Sequence, residues 1–413
     1  MRFFFFIIIG IIVLIEIYVY KGTRNIFIQD NQKIFYIVYY LTVFLTLTGV
    51  FSLLFFSRKG IGETNLVVNI LFGLAFSLIL IKIIIFNFLL IEDIYRSIRF
   101  LAEKIITSGK VSFAERSRIV VYTALTIASL LFIIYVYGIF AGKYNYKVRN
   151  VSLSFADLPE EFDGFKIIQI SDIHSGTFDN FSAVRRGIEL IKKQNADMIL
   201  FTGDLVNNLA DEIKPYIDII GSIKAPHGKY SIMGNHDYGD YFKWPSEEAR
   251  QNNLNKLVSY QDSMGFRLLN NECVEIKKDG AIITLAGVEN WGKPPFHQFG
   301  DLDKALSNNQ GERFTILMSH DPSHWDGQVL EFEKYIHLTL SGHTHGMQMG
   351  FEIGNFKWSP VKLMYPRWCG LYEEKGKYLY VNRGFGFIGF PGRVGIWPEI
   401  TVFELKTKKQ SHP

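Results

Sequence analysis

The sequence predicts an α/β fold preceded by a region of four transmembrane helices, and three observations predict it. The first 143 residues carry four long, nearly uncharged apolar runs. Beyond them, short apolar runs alternate with amphipathic helical patterns. Five of those short runs lead, in order, into residue types that ligate divalent cations.

The apolar runs, residues 3–20, 36–56, 66–91 and 119–140, each approach the ~20 residues that cross a hydrocarbon core. The first sits where a signal peptide would, yet its only early charge is Arg2 and no small-residue cleavage site follows. It reads as a retained helix. Glu16 and Lys82 lie within such runs, which is costly unless they snorkel or find a partner; snorkelling is the expectation for Lys82. Basic residues near the helix ends set the orientation. Lys21, Arg24, Lys33, Arg96, Arg99, Lys104, Lys110, Arg116 and Arg118 stand on one side, against Arg2, Arg58, Lys59, Lys143, Lys147 and Arg149 on the other. Nine against six puts the first set in the cytoplasm and the domain beyond the helices outside an integral cytoplasmic (inner) membrane. The division expected is a transmembrane region 1–143, a junction 144–158, a soluble domain 159–407 and a tail 408–413.

In the soluble domain, Phe165 to Ser171 precedes Asp172, and Met198 to Thr202 precedes Asp204. Tyr230 to Met233 precedes Asn235, Thr315 to Met318 precedes His320, and His337 to Leu340 precedes His343. Runs this short and apolar, bounded by Gly, Asp and Asn, suit strands covered on both faces. Loops at the carboxyl ends of such strands are where open α/β sheets bind ligands. Between them, Val184, Ile188 and Ile191 share one face of a helix from Phe181 to Gln194, and Glu247 to Met264 reads as a second helix. Cys273 to Ile276 and Ile282 to Ala286 read as further strands.

The five motifs are Asp172-Ile-His174, Gly203-Asp204, Gly234-Asn-His-Asp237, Ser319-His320 and Gly342-His-Thr-His345. A hard cation that polarises phosphoryl oxygen and acidifies its water is well served by carboxylate, amide oxygen and neutral imidazole. Two such cations clamp the attacking and leaving oxygens of an in-line displacement, and one carboxylate touching both is the economical bridge. Asp204 is the candidate for it. Taken singly, a glycine before Asp204 or Asn235 is ordinary turn chemistry, and a lone DxH arises by chance. All five in this order carry the reading.

These residues resemble the calcineurin-like metallophosphoesterase family, whose pattern is DxH, GDxx, GNH(D/E), a lone His and GHxH. From about Phe165 to Leu405 the chain is similar to the membrane-associated bacterial branch, through IIQISDIHSG, LFTGDLVNN, MGNHDYG, LAGVENWG, LSGHTHGMQMG and LYVNRGFGF. The resemblance implies a four-layer αββα sandwich. It implies that Asp172, His174 and His345 hold one metal ion and Asn235, His320 and His343 the other, with Asp204 bridging. His236 would face the scissile bond, stabilise charge and protonate the leaving alkoxide, while Asp237 orients its imidazole. Two divalent ions are the expected cofactors, manganese, iron or zinc, since all three accept this ligand set. The expected reaction is in-line attack by a hydroxide held between them, without a covalent enzyme intermediate.

The expected substrate is a phosphodiester or pyrophosphate, and a lipid-linked one is the sharper expectation for a membrane-anchored enzyme. Membrane-bound relatives include UDP-diacylglucosamine pyrophosphatases of lipid A synthesis, whose reaction demands a cytoplasmic site, against the charge count. The alternatives are a general phosphodiesterase merely anchored by its helices and a non-catalytic metal-binding sensor or scaffold. The complete ligand set speaks against the last.

His227, His297 and His412 read as solvated loop residues, and His324 and His337 as packing. Phe385, Phe387, Phe390 and Trp397 read as core and loop packing rather than an acyl groove. A net charge of +4 on 413 residues predicts no nucleic-acid partner, and the basic third loop suits anionic headgroups. Cys273 and Cys369 leave pairing and redox compartment open, and oligomeric state is likewise open.

Overall fold

The computed structural model describes residues 2–27, 32–56, 66–107, 111–309, 311, 313–354 and 356–408. Arg58, Lys59, Lys110, His412 and the expected tail beyond residue 408 lie outside them. The chain divides into a helical unit ending at Ile139 and an α/β unit from Phe140 onward.

The helical unit comprises α1 (Arg2–Phe27), α2 (Gln32–Phe56), α3 (Leu66–Thr107) and α4 (Arg118–Phe140). Among the described residues, three stretches are long and apolar enough to cross a membrane: 32–52, 66–107 and 118–140. α3 runs on past the expected end at Ile91. No Gly or Pro interrupts it there, and the pairs Arg96–Asp93 and Arg99–Glu103, one turn apart, support its polar end. At 1.5 Å per residue its 42 residues extend about 63 Å, so part of it reaches beyond the ~30 Å hydrocarbon layer. Lys82 does not snorkel. Its ammonium meets Glu16 at 2.5 Å, and the Tyr39 hydroxyl donates to the same carboxylate at 2.9 Å.

The α/β unit begins with β1 (Lys147–Phe155), so most of the expected junction is a strand. Its sequence explains this: Val151, Leu153 and Phe155 alternate with Asn150, Ser152 and Ser154, and the apolar set faces the core. Then follow β2 (Lys166–Ile170), helix α5 (Phe181–Lys192), β3 (Met198–Phe201), α6 (Ile217–Gly221), β4 (Lys229–Ser231), α7 (Glu247–Ser263) and β5 (Arg267–Leu268). The second half holds β6 (Glu272–Lys278), β7 (Ala281–Gly287), β8 (Thr315–Met318), β9 (Leu338–Ser341), β10 (Phe351–Ile353) and β11 (Phe356–Trp358). It closes with β12 (Gly370–Glu374), β13 (Lys377–Val381) and β14 (Glu399–Thr407). Two six-stranded sheets result, ordered β1-β14-β2-β3-β4-β5 and β12-β13-β9-β8-β7-β6, with β10 and β11 forming a separate hairpin.

Alternation along the strands builds the layers. Ile167, Met198, Leu200 and Phe403 of the first sheet pack against Leu285, Ile316, Met318 and Leu338 of the second. Their neighbours Ile168, Ile199 and Phe201 point the other way, onto Val184, Ile188 and Ile191 of α5 and Leu257 of α7. On the far face of the second sheet, Ala286, Leu317 and Leu379 lie under Leu302, Trp325 and Val329. Each buried Ile or Leu contributes roughly 2 kcal/mol, and a strand covered on both faces has no solvent-facing position, which is why these runs are mostly apolar, with buried polar exceptions such as Gln169 and Thr339. The Asn180 side chain caps α5, accepting from the Ala183 N–H at 2.9 Å. Strands β2, β3 and β4 run parallel, as do β7, β8 and β9, so within each sheet the carboxyl ends of the three strands share one rim.

Candidate metal centre

The candidate ligands follow those rims directly, and the backbone is bent to aim them. Asp172, His174, Asp204, His343 and His345 have φ of 53°, 47°, 61°, 70° and 50°. Left-handed backbone at non-glycine residues costs on the order of 1–3 kcal/mol each and gathers at functional sites. Gly342 is required beside them, because a Cβ there would fall 1.9 Å from Ser171 Oγ and 2.3 Å from Asp172 Oδ2.

Two donor groups form. Asp172, His174 and His345 each bring one donor atom into a cluster within 4.8 Å, and Asp204, His320 and His343 do the same. Asp204 Oδ2 lies 3.4 Å from His174 Nε2 and 3.1 Å from His320 Nε2, so a single oxygen faces a histidine of each group. His345 Nε2 is 3.3 Å from Asp172 Oδ1, and Asn235 Oδ1 is 2.8 Å from His343 Nδ1. The Tyr241 hydroxyl accepts from the Asn235 amide nitrogen at 2.9 Å, which turns the amide oxygen inward. All seven expected ligands therefore meet at one place.

The donor set fits two divalent cations. Nε2 of His174, His320 and His345 is buried and makes no hydrogen bond, a cost of about 1–3 kcal/mol for each atom left without a partner. Two ligand atoms ~2.1 Å from one ion at near-tetrahedral or right angles stand about 3.0–3.4 Å apart, the separation seen for these nitrogens and carboxylates.

Electrostatics divide the group. Burial opposes ionisation of Asp204, yet His320, His236 and His174 around it hold its carboxyl well below the usual range. Burial, reinforced by the charge of Asp204, raises that of Asp172. Burial drives His345 well below the usual imidazole range, with His174 adding to it, and pushes His236 down to about 4. His320 goes the other way, up to about 10, because Asp204 outweighs its burial.

A second ring of groups orients the candidate ligands. His320 Nδ1 faces the Thr202 carbonyl at 2.7 Å, and His174 Nδ1 faces Asn207 Oδ1 at 3.1 Å. His343 Nε2 faces the Tyr365 hydroxyl at 2.9 Å and Asp321 Oδ2 at 3.4 Å. Arg393, fully buried, donates to the carbonyls of Arg383 and Gly386 at 2.7 and 2.6 Å and lies 3.3 Å from His345 Nδ1. It ties the Arg383–Gly386 loop to the His345 turn. Sequence reasoning missed Asp321, Tyr365, Asn207 and Arg393; only Asp321, beside His320, carried a signal there.

The expected role of Asp237 needs correction. Its carboxylate does not reach the His236 ring, whose Nδ1 faces the Asn207 carbonyl at 2.9 Å. Asp237 Oδ2 accepts from the N–H groups of Asp204 and Gly234, both at 2.9 Å, and Oδ1 from those of Leu205 and Val206 at 2.8 and 3.3 Å. Buried backbone donors of two loops need an acceptor, and this side chain supplies it. Burial, with the charge of Asp204, pushes its carboxyl up to about 7 against those donors.

The remaining histidines play other parts. His324 is buried between Ser319 and Gln328 and stacks on Trp291, and His337 accepts from the Thr315 N–H. His297 is half-exposed and meets Asp240 at 2.9 Å. Phe385 and Phe387 are buried, and both cysteines are free thiols.

An αββα sandwich with a carboxylate and histidine centre for two cations at its strand ends is a metallohydrolase fold. The family profile described as "Calcineurin-like phosphoesterase" matches residues 165–347, and "Probable Calcineurin-like phosphoesterase, transmembrane domain" matches residues 1–143. The metallophosphoesterase YkuE of Bacillus subtilis (strain 168) is 32% identical over 256 residues, covering 60% of this chain and 82% of that one. A transmembrane protein with metallophosphoesterase domain from Danio rerio is 30% identical over 315 residues, covering 74% of this chain and 65% of its own. A metallophosphoesterase of Helicobacter pylori (strain J99) is 29% identical over 277 residues, covering 66% of this chain and 68% of its own. The chain belongs to the calcineurin-like metallophosphoesterases and is a membrane-associated, metal-dependent phosphoric ester hydrolase.

Proposed function

We propose that the protein hydrolyses phosphodiester or pyrophosphate bonds of lipid-linked substrates, with its catalytic unit on the extracytoplasmic side. The observation that carries the two-ion reading is Asp204 Oδ2, set between a histidine of each donor group. Asp172, His174 and His345 would hold one ion, Asn235, His320 and His343 the other, and Asp204 both. When bound, such a pair supplies a water acidic enough to attack at neutral pH and neutralises charge on phosphoryl oxygen.

The chain does the rest. The Asn207 carbonyl accepts a hydrogen bond from His236 Nδ1–H, leaving Nε2 as the ring's other nitrogen for the substrate. An anionic phosphoryl group beside it favours the imidazolium, which protonates the departing alkoxide. The outward placement rests on the bias of nine basic residues against six, and the lipid-linked substrate on the helices that hold the enzyme in a membrane.

Two measurements test this. The purified full chain should cleave detergent-dispersed nucleotide lipids faster than bis-p-nitrophenyl phosphate; the reverse order favours an anchored general phosphodiesterase. A topology reporter fused after Pro413 should read outside, and a cytoplasmic signal overturns the sidedness.

A further inference from the structure

The hairpin β10–β11 is amphipathic the wrong way round for a water-soluble surface. Phe351, Ile353, Phe356 and Trp358 share one face, since Phe351 pairs with Trp358 and Ile353 with Phe356 across the two strands. That face is exposed, Ile353 to 73% and Phe356 to 65%. The polar pair Glu352 and Lys357 points inward instead. Glu352 is fastened to Arg149 and to Arg383, whose Nε donates at 2.9 Å, and Lys357 to the Cys369 carbonyl. A lone two-stranded hairpin is marginal in water, so these bonds fix the ribbon with its apolar side outward.

The following turn continues the pattern. Leu363 is 88% exposed and Met364 68%, and Lys362 beside them makes no ion pair among the described residues. Among the described residues beyond 143, seven of the twelve exposed large apolar side chains fall between Met347 and Met364. Contiguous apolar surface of this kind marks an interaction site. A bilayer is the occupant this chain always has at hand, because its own first 143 residues match a transmembrane domain. Apolar side chains with a tryptophan and a free lysine are the composition of interfacial segments.

We propose that the hairpin and the 360–364 turn insert into the lipid interface as a second membrane contact beside the candidate centre. Tyr365, the next residue, places its hydroxyl 2.9 Å from His343 Nε2, so the inserted turn adjoins the place where a lipid headgroup would be cut. The insertion itself does not depend on the hydrolytic reading.

The test uses the full chain in nanodiscs. All six tryptophans lie beyond residue 143, so the four helices are silent in tryptophan emission. Brominated phosphatidylcholine should quench the emission relative to unbrominated lipid, and Trp358→Phe should remove at least half of that quench. The exposed double substitution Ile353→Asp with Phe356→Asp should reduce quenching about threefold, with the circular dichroism spectrum and the turnover of a soluble diester unchanged. Quenching that is absent, or equal in wild type and Trp358→Phe, overturns the proposal. So does an Ile353→Cys variant that cross-links chain to chain while Trp358 stays unquenched, which assigns the face to a second copy.

Discussion

Replacing Asp237 with asparagine takes away one of two oxygens that together accept four backbone N–H groups. The amide oxygen can keep one pair, either Asp204 and Gly234 or Leu205 and Val206; the other pair then meets an NH2 donor. Two stranded buried donors cost about 1–3 kcal/mol each. Cheaper burial of a neutral amide returns part of that, leaving an expected loss of about 3 kcal/mol. In an α/β unit of this size that corresponds to a fall in Tm of about 6–12 °C. Tryptophan fluorescence during heating reads this unit alone, since the helical unit has no tryptophan. An unchanged Tm, together with turnover reduced as far as in His236→Ala, would show that Asp237 acts on the imidazole and would refute the tie between loops.

Three further outcomes follow from the geometry. His236→Ala should lower turnover about 10²–10⁴-fold with metal content intact by elemental analysis; loss of metal would make the residue a ligand. Asp321→Asn should weaken retention of one ion about 10–100-fold in chelator competition, because Asp321 lies 3.4 Å from His343 Nε2; unchanged retention removes it from that role. Burial pushes His324 down to about 4, against ~6.5 in an unfolded chain. The unfolded state therefore takes up the proton first, and stability present above about pH 6.5 is lost as pH falls towards 4, roughly 2 kcal/mol by about pH 5. His324→Gln should flatten that part of the stability profile, and an equally steep profile would acquit the residue.

The candidate ligands were legible because strand-end carboxylates and histidines in such a series have few other uses, and the strands because double coverage leaves no solvent-facing position and so favours apolar residues in them. Features with partners distant along the chain leave no such local pattern. Glu16 and Lys82 meet across 66 residues, so neither foretells the other. The expected junction 144–158 holds β1, whose partner β14 stands more than 240 residues later. Alternation in the hairpin does not say which side faces out; the bonds of Glu352 to Arg149 and Arg383 and of Lys357 to the Cys369 carbonyl decide it. The family resemblance implies orientation of His236 as the task of Asp237, whereas its partners are backbone N–H groups, which carry no signature in a sequence.

The metal stoichiometry of the purified full chain tests the central claim most directly. Elemental analysis should find two divalent ions per chain in the wild type, and a clear loss in Asp204→Asn together with the loss of hydrolysis. A wild type that turns over with a single ion, or an Asp204→Asn variant that keeps both ions and near-normal manganese-dependent activity, would contradict it.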